Sequence, residues 1–247
     1  MHLLPARPLL IVAGMQLLVA AAGLTAATML LRTPAGIGWR GLVTAFACYG
    51  VIAAFVVFDL GRHAPHQRFG AANSVTLTRA GLTALLWGVV GETMLSWRDL
   101  GSELRWLLSF VAMAALALDG ADGWIARRRG MASDFGADFD MEVDALFALA
   151  LALLVYGTGR CGVWVLSSGL LRYVFVLVGW IWPTFAAPLR PSRRRKLICA
   201  IQAAVLIAAL LPIVPTEVAH GLCLAGLALL SYSFAADILW LAKARAA

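Results

Sequence analysis

Charge is the scarcest ingredient of this sequence. Asp, Glu, Lys and Arg make up only 13% of the 247 residues, while 62% are hydrophobic. The mean hydropathy is +0.87. A typical soluble domain carries about twice that share of charge, so these few charges cannot cover a water-facing surface. A soluble enzyme, a disordered chain and a coiled coil are excluded. Two-residue alternation of apolar and polar side chains is also missing, which argues against a transmembrane β-barrel. Cysteine is sparse: Cys48, Cys161, Cys199 and Cys223 form no CxxC pair and read as small core residues, not as a disulfide framework or a metal site. No internal repeat and no low-complexity segment is visible. The remaining class is all-α, a polytopic transmembrane helical bundle.

A bilayer core takes about 20 apolar residues as helix. On that basis eight spans are expected, near 9–31, 41–60, 78–97, 106–126, 138–157, 163–183, 197–213 and 220–241. The first run is longer than a signal-peptide core and lacks a convincing cleavage site, so it is kept as a span. Residues 61–77 are the clearest polar break, with Arg62, His63, Pro65, His66, Gln67 and Arg68. This break divides a two-helix N-terminal extension with its linker (1–69) from a six-helix body (70–247). His63 and His66 lie on a Pro-containing linker and read as part of it, not as a metal pair.

Eight spans place both termini on one side. Fourteen of the twenty Lys and Arg fall on that side, five on the other, and Arg172 lies inside a span. The positive-inside tendency puts the fourteen in the cytoplasm. The net charge of +7 is therefore read as basic cytoplasmic loops in a cytoplasmic (inner) membrane, with no nucleic acid as partner. The tryptophans mostly flank spans, as interfacial belts do.

Seven of the thirteen acidic residues fall between Asp119 and Asp144. Carboxylates near membrane depth are costly and usually mark a site. At about 100° per residue, Asp119, Asp122, Gly123 and Ala126 share a helix face about 100° wide. In the next helix Gly136, Asp140 and Asp144 fall within about 80°, while Asp134, Asp138 and Glu142 point the other way. The second set reads as a solvated face near a helix start, where acids also suit the helix dipole. With the span at 106–126, Asp119 lies about 10 Å from its cytoplasmic end. A short hairpin brings Asp119 and Asp122 opposite Asp140 and Asp144. Four crowded carboxylates repel, so either some are protonated or a multivalent cation holds them. Carboxylate oxygens suit Mg²⁺ or Mn²⁺, which bridge a few carboxylates to substrate phosphates. Glycine on the same face lets a large ligand approach the backbone.

These residues resemble the CDP-alcohol phosphatidyltransferase family, whose signature is D-x2-D-G-x2-A-R-x8-G-x3-D-x3-D. Asp119, Asp122, Gly123, Ala126, Arg127, Gly136, Asp140 and Asp144 meet every spacing. Asn73, Thr76 and Arg79 match the N-x2-T-x2-R that often precedes it; alone, an Asn before a helix is usually an N-cap. The resemblance covers roughly residues 70–242. It implies a six-helix catalytic body, usually a homodimer, whose site opens to the cytoplasm and transfers a phosphatidyl or phosphoalcohol group from a CDP-linked donor to an alcohol, releasing CMP. By position it implies Asp119, Asp122 and Asp140 as metal ligands and Asp144 as both a ligand of a second ion and the general base. Gly123, Ala126, Arg127 and Gly136 would line the nucleotide site, closed by Asn73, Thr76 and Arg79. Mg²⁺ or Mn²⁺, two ions per site, would be the cofactor.

Arg172, in the middle of an apolar run, needs a partner or a water-filled cavity. It can bind the acceptor's phosphate or carboxylate, pair with a pocket aspartate, or snorkel to the interface. Arg193, in the basic run Ser192-Arg193-Arg194-Arg195-Lys196, reads as a membrane-surface anchor or an acceptor contact. Glu92 is expected to face the bundle interior. A lipid donor, CDP-diacylglycerol, is favoured over a CDP-linked headgroup, with a small alcohol or a lipid as acceptor and membrane lipid as surroundings. Two other classes compete. An intramembrane prenyltransferase normally separates its aspartate motifs, whereas here they form one block. A divalent-cation transporter needs access from both faces, whereas these acids lie at one end of their spans.

Overall fold

The computed structural model describes residues 7–33, 35–63, 66, 68–96, 100–129, 133–182 and 192–246, without the side chains of 95–96, 122–127, 129, 193 and 242–246. Among these residues the secondary structure is helical, with no strand. Eight α-helices follow in order: α1 (Arg7–Leu31), α2 (Trp39–Asp59), α3 (Ala71–Ser96), α4 (Ser102–Arg129), α5 (Asp134–Gly157), α6 (Ser167–Ile181), α7 (Arg193–Leu210) and α8 (Thr216–Ala246). Short 3-10 turns at Leu60–His63 and Val163–Leu166 precede α3 and α6.

Among the described residues, six segments are long and apolar enough to cross a membrane: Arg7–Leu31, Trp39–His63, Ala71–Met94, Ser102–Ala121, Val163–Ile181 and Thr216–Leu241. The other two helices, α5 and α7, start with charge. The first half of α5 carries Asp134, Asp138, Asp140, Glu142 and Asp144, and α7 opens with Arg193, Arg194, Arg195 and Lys196. The protein is a multi-pass membrane protein. Its outward side chains fit that solvent: Leu18, Val19 and Leu30 on α1 are more than 70% exposed, a burden in water but an ordinary lipid-facing surface in a bilayer.

The chain divides within α5 into two compact units, 1–147 and 148–247. In the first unit α2 lies tightly against α3. A Cβ on Gly41 would stand 2.7 Å from the Gly88 carbonyl, and one on Gly91 would overlap Thr44. Small residues let the two backbones approach, close enough for Thr44 Oγ1 to donate to the Trp87 carbonyl at 3.0 Å. Glu92 faces the interior as expected: its Oε2 accepts from the backbone N–H groups of Gly38 (2.9 Å) and Gly41 (3.1 Å) at the start of α2. A carboxylate there satisfies orphan amides and complements the helix dipole. Helix α1 is tied on by Ser74 Oγ, which donates to Gln16 Oε1 at 2.9 Å, and by Tyr49 OH, which donates to the Leu17 carbonyl. Gly70, at φ 82°, supplies the left-handed turn that starts α3.

In the second unit Gly169 of α6 lies against the backbone of Leu149. Arg160 closes the C-terminal end of α7, donating to the carbonyls of Ala209 (3.2 Å), Leu211 (2.9 Å) and Pro212 (3.4 Å). Arg194 and Arg195 pair with Asp237 of α8 at 2.8 and 3.3 Å, so these two of the basic run serve an interhelical ion pair.

Candidate metal centre

Helix α3 starts at Ala71, earlier than the expected span, and so carries Asn73, Thr76 and Arg79 on one face at intervals of three. Asn73 is therefore inside the helix and not its N-cap: its Nδ2 donates to the Phe69 carbonyl at 2.6 Å. The Thr76 hydroxyl donates to the Ala72 carbonyl at 3.1 Å. This face meets α5 at three levels, both helices running the same way. Gly136 faces Asn73, whose Oδ1 would lie 3.0 Å from a Cβ at that position. Arg79 meets Asp140 and Asp144. Further along, Trp87 Nε1 donates to the Leu146 carbonyl at 3.1 Å.

Arg79 is the hub. Its side chain is 3% exposed, and it reaches three carboxylates on two helices. Nη1 lies 2.6 Å from Asp140 Oδ1, and Nη2 lies 3.0 Å from Asp119 Oδ1 and also pairs with Asp144 Oδ1. A buried guanidinium without anions would be strongly unfavourable. Conversely, three ionised carboxylates around one cation leave an excess of two negative charges. The α5 spacing accounts for the pair from that helix, since residues i and i+4 rise over one another on one face.

One oxygen from each of Asp119, Asp140 and Asp144 lies within 4.8 Å of the others. Bound oxygens of a Mg²⁺ shell span about 4.2 Å across, so the three acids are close to the size of such a shell. The donor set is all carboxylate, the hard oxygen type that Mg²⁺ and Mn²⁺ take. The acids are each about one-third to two-fifths exposed, so the cluster is not sealed inside the protein. The residues present can hold a divalent metal.

Asp122, Gly123, Ala126 and Arg127 belong to α4, but their side chains lie outside the described residues, as does that of Arg193 at the start of α7. Arg172 stands half-buried on α6 in the second unit. The acids expected to form a solvated face behave differently from one another. Asp134 is exposed, whereas Asp138 forms a 2.6 Å ion pair with Arg62. The start of α5 is thus held by the linker before α3, a relation that helical phase within α5 cannot register.

The family model for CDP-alcohol phosphatidyltransferases matches residues 69–235. No curated protein and no solved structure matches the chain significantly. The match covers more than half of the sequence, and the chain belongs to the CDP-alcohol phosphatidyltransferase family.

Proposed function

We propose that this member of the CDP-alcohol phosphatidyltransferase family transfers a phosphatidyl group from CDP-diacylglycerol to an alcohol, releasing CMP in phospholipid biosynthesis. The observation that carries the reading is the convergence of Asp119, Asp140 and Asp144 on Arg79. It pairs a metal-capable oxygen set with a fixed cation beside a membrane, where a lipid-linked diphosphate has to be held. The fourteen-to-five excess of Lys and Arg on one side supports a cytoplasmic-membrane location with the site and both termini inside. Residues 70–247 act as the catalytic body and 1–69 as an extension of it.

Phosphoryl transfer needs charge neutralised on the diphosphate and the reactants held in line. Asp119, Asp122, Asp140 and Asp144 would hold Mg²⁺ or Mn²⁺, two ions per site. When bound, such ions supply Lewis-acid neutralisation of the diphosphate and of the departing oxygen. The chain's own residues do the rest. Arg79 keeps the acids together and fixes their rotamers. Gly136, bare of side chain, lets Asn73 pack against the first turn of α5, and these two residues would line the nucleotide site with Gly123, Ala126, Arg127 and Thr76. The acceptor hydroxyl oxygen bonds to the phosphatidyl phosphorus while the bond from phosphorus to the bridging oxygen breaks, and CMP leaves. The hydroxyl proton passes to the Asp144 carboxylate. Arg172 and Arg193 are the candidates for holding an anionic acceptor.

The test incubates purified protein with Mg²⁺ and CDP-diacylglycerol, screens alcohol acceptors, and measures CMP and the mass of the lipid product. CMP release with a new phospholipid is expected. CMP release only from a CDP-linked headgroup would reassign the donor. Pyrophosphate release from a prenyl diphosphate, or metal flux into liposomes without any CDP-linked donor, would overturn the reading.

A further inference from the structure

The N-terminal extension ends in a buried histidine that the proposed chemistry does not use. His63 is 1% exposed. Its Nε2 lies 2.9 Å from the Arg68 carbonyl and its Nδ1 lies 2.7 Å from Ser133 Oγ. A carbonyl only accepts, so Nε2 carries the proton in the neutral ring and Nδ1 is the acceptor. The Ser133 hydroxyl therefore donates to His63. That leaves a Ser133 lone pair for the Gly136 N–H, which donates to Ser133 Oγ at 3.1 Å. The bonds form one directed chain: Gly136 N–H to Ser133, Ser133 O–H to His63, and His63 N–H to the Arg68 carbonyl. It starts on Gly136, the glycine of the signature that faces Asn73.

Two further contacts from the extension and its linker grip the same turn of α5. Arg62 pairs with Asp138 at 2.6 Å. Phe55 of α2 stacks on Phe135 and Phe139, with ring centroids 6.3 and 6.2 Å away, and the His63 ring meets Phe135 edge-on at 5.6 Å. Ser133 is thus oriented from outside its own helix: an N-cap hydroxyl is free to rotate, and His63 fixes which way its hydrogen points.

We propose that His63 is a positioning residue for the transfer reaction, holding Ser133 and through it the Gly136 turn in the geometry that accepts the nucleotide of the donor. The extension is then a latch on the catalytic helix as well as an added pair of membrane spans. This role rests on the CDP-linked donor proposed above. It acts on donor binding and leaves the acids on the next turns of α5 in place, so the donor KM is the parameter it sets.

The experiment uses full-length protein in lipid nanodiscs, comparing wild type with His63→Ala, Ser133→Ala, the double variant and His63→Asn. Two readouts are taken: steady-state kinetics with CDP-diacylglycerol, and deuterium exchange of the backbone amides at the start of α5. Each alanine variant is expected to raise the donor KM by about three- to tenfold, the effect of losing one buried hydrogen bond, with kcat within about twofold. The double variant is expected to be no worse than either single one, because all three break the same chain. His63→Asn, which keeps an acceptor near the Nδ1 position, is expected to recover most of the loss. Exchange is expected to quicken around Gly136 and to stay unchanged in α8. Unaltered exchange at α5 in Ser133→Ala, or a wild-type donor KM despite faster exchange, overturns the latch while the reaction stands. A wild type inert toward every CDP-linked donor overturns the proposed reaction, and the positioning role with it.

Discussion

Arg79 on α3 and Asp144 on α5 form an ion pair through a guanidinium nitrogen that also lies 3.0 Å from an oxygen of Asp119 on α4. One side chain thus joins three helices at the point where the acidic signature converges. Three ionised carboxylates carry two negative charges more than this one guanidinium offsets.

Arg79→Met should therefore separate two properties that usually move together. The three acids would lose the cation they share and repel one another, so thermal stability without divalent ions should fall. The excess of negative charge rises, so Mg²⁺ should raise the melting temperature more in Arg79→Met than in wild type. Equal stabilisation of the two proteins by Mg²⁺ would show that the guanidinium and the ion do not compete for the same carboxylates.

Asp119→Asn and Asp144→Asn should fail differently. Asp119→Asn is expected to lose metal-dependent CMP release together with divalent-ion affinity. Asp144→Asn is expected to lower kcat by about 10²–10⁴-fold, the range for a missing general base, while CDP binding stays measurable by calorimetry. Near-normal turnover in Asp144→Asn would remove it from the base role.

The acids were legible because their spacing is local. Asp140 and Asp144 are one helical turn apart, and that interval alone places both on the face that meets Arg79. The Asn73, Thr76 and Arg79 interval carried similar information, yet the polar stretch before residue 78 obscured that α3 begins at Ala71. Apolar runs mark where a helix enters the bilayer, not where it starts. The contact of His63 with Ser133 spans 70 positions and arises from a linker with no periodicity, so no local pattern announces it. Asp138 misled for the same reason: its phase points away from the acid cluster, and only the fold shows that Arg62 waits there.

Glu92→Gln should destabilise the protein without touching the chemistry. The carboxylate accepts from two amides at the start of α2, and a charged acceptor contributes about 1.5–3 kcal/mol. A lower melting temperature with an unchanged kcat/KM is expected. A selective loss of kcat would give Glu92 a part in the reaction that its contacts do not show.

Gly41→Ala probes the seam between the extension and the body. The added methyl would stand 2.7 Å from the Gly88 carbonyl, a backbone atom that moves only if α2 and α3 separate. A loss of about 1–3 kcal/mol is expected from such overpacking, measured by thermal unfolding in detergent. Wild-type stability would mean that the two helices are not held in this register.

The most direct measurement is CMP release from CDP-diacylglycerol, with the effective alcohol acceptor present, as Mg²⁺ is titrated into metal-stripped wild type and Asp140→Asn. Wild type should be inactive after chelation and recover with added Mg²⁺, whereas Asp140→Asn should stay inactive across the titration. CMP release that persists in chelator, or that proceeds in Asp140→Asn at the wild-type rate, would contradict a metal centre built on these three aspartates.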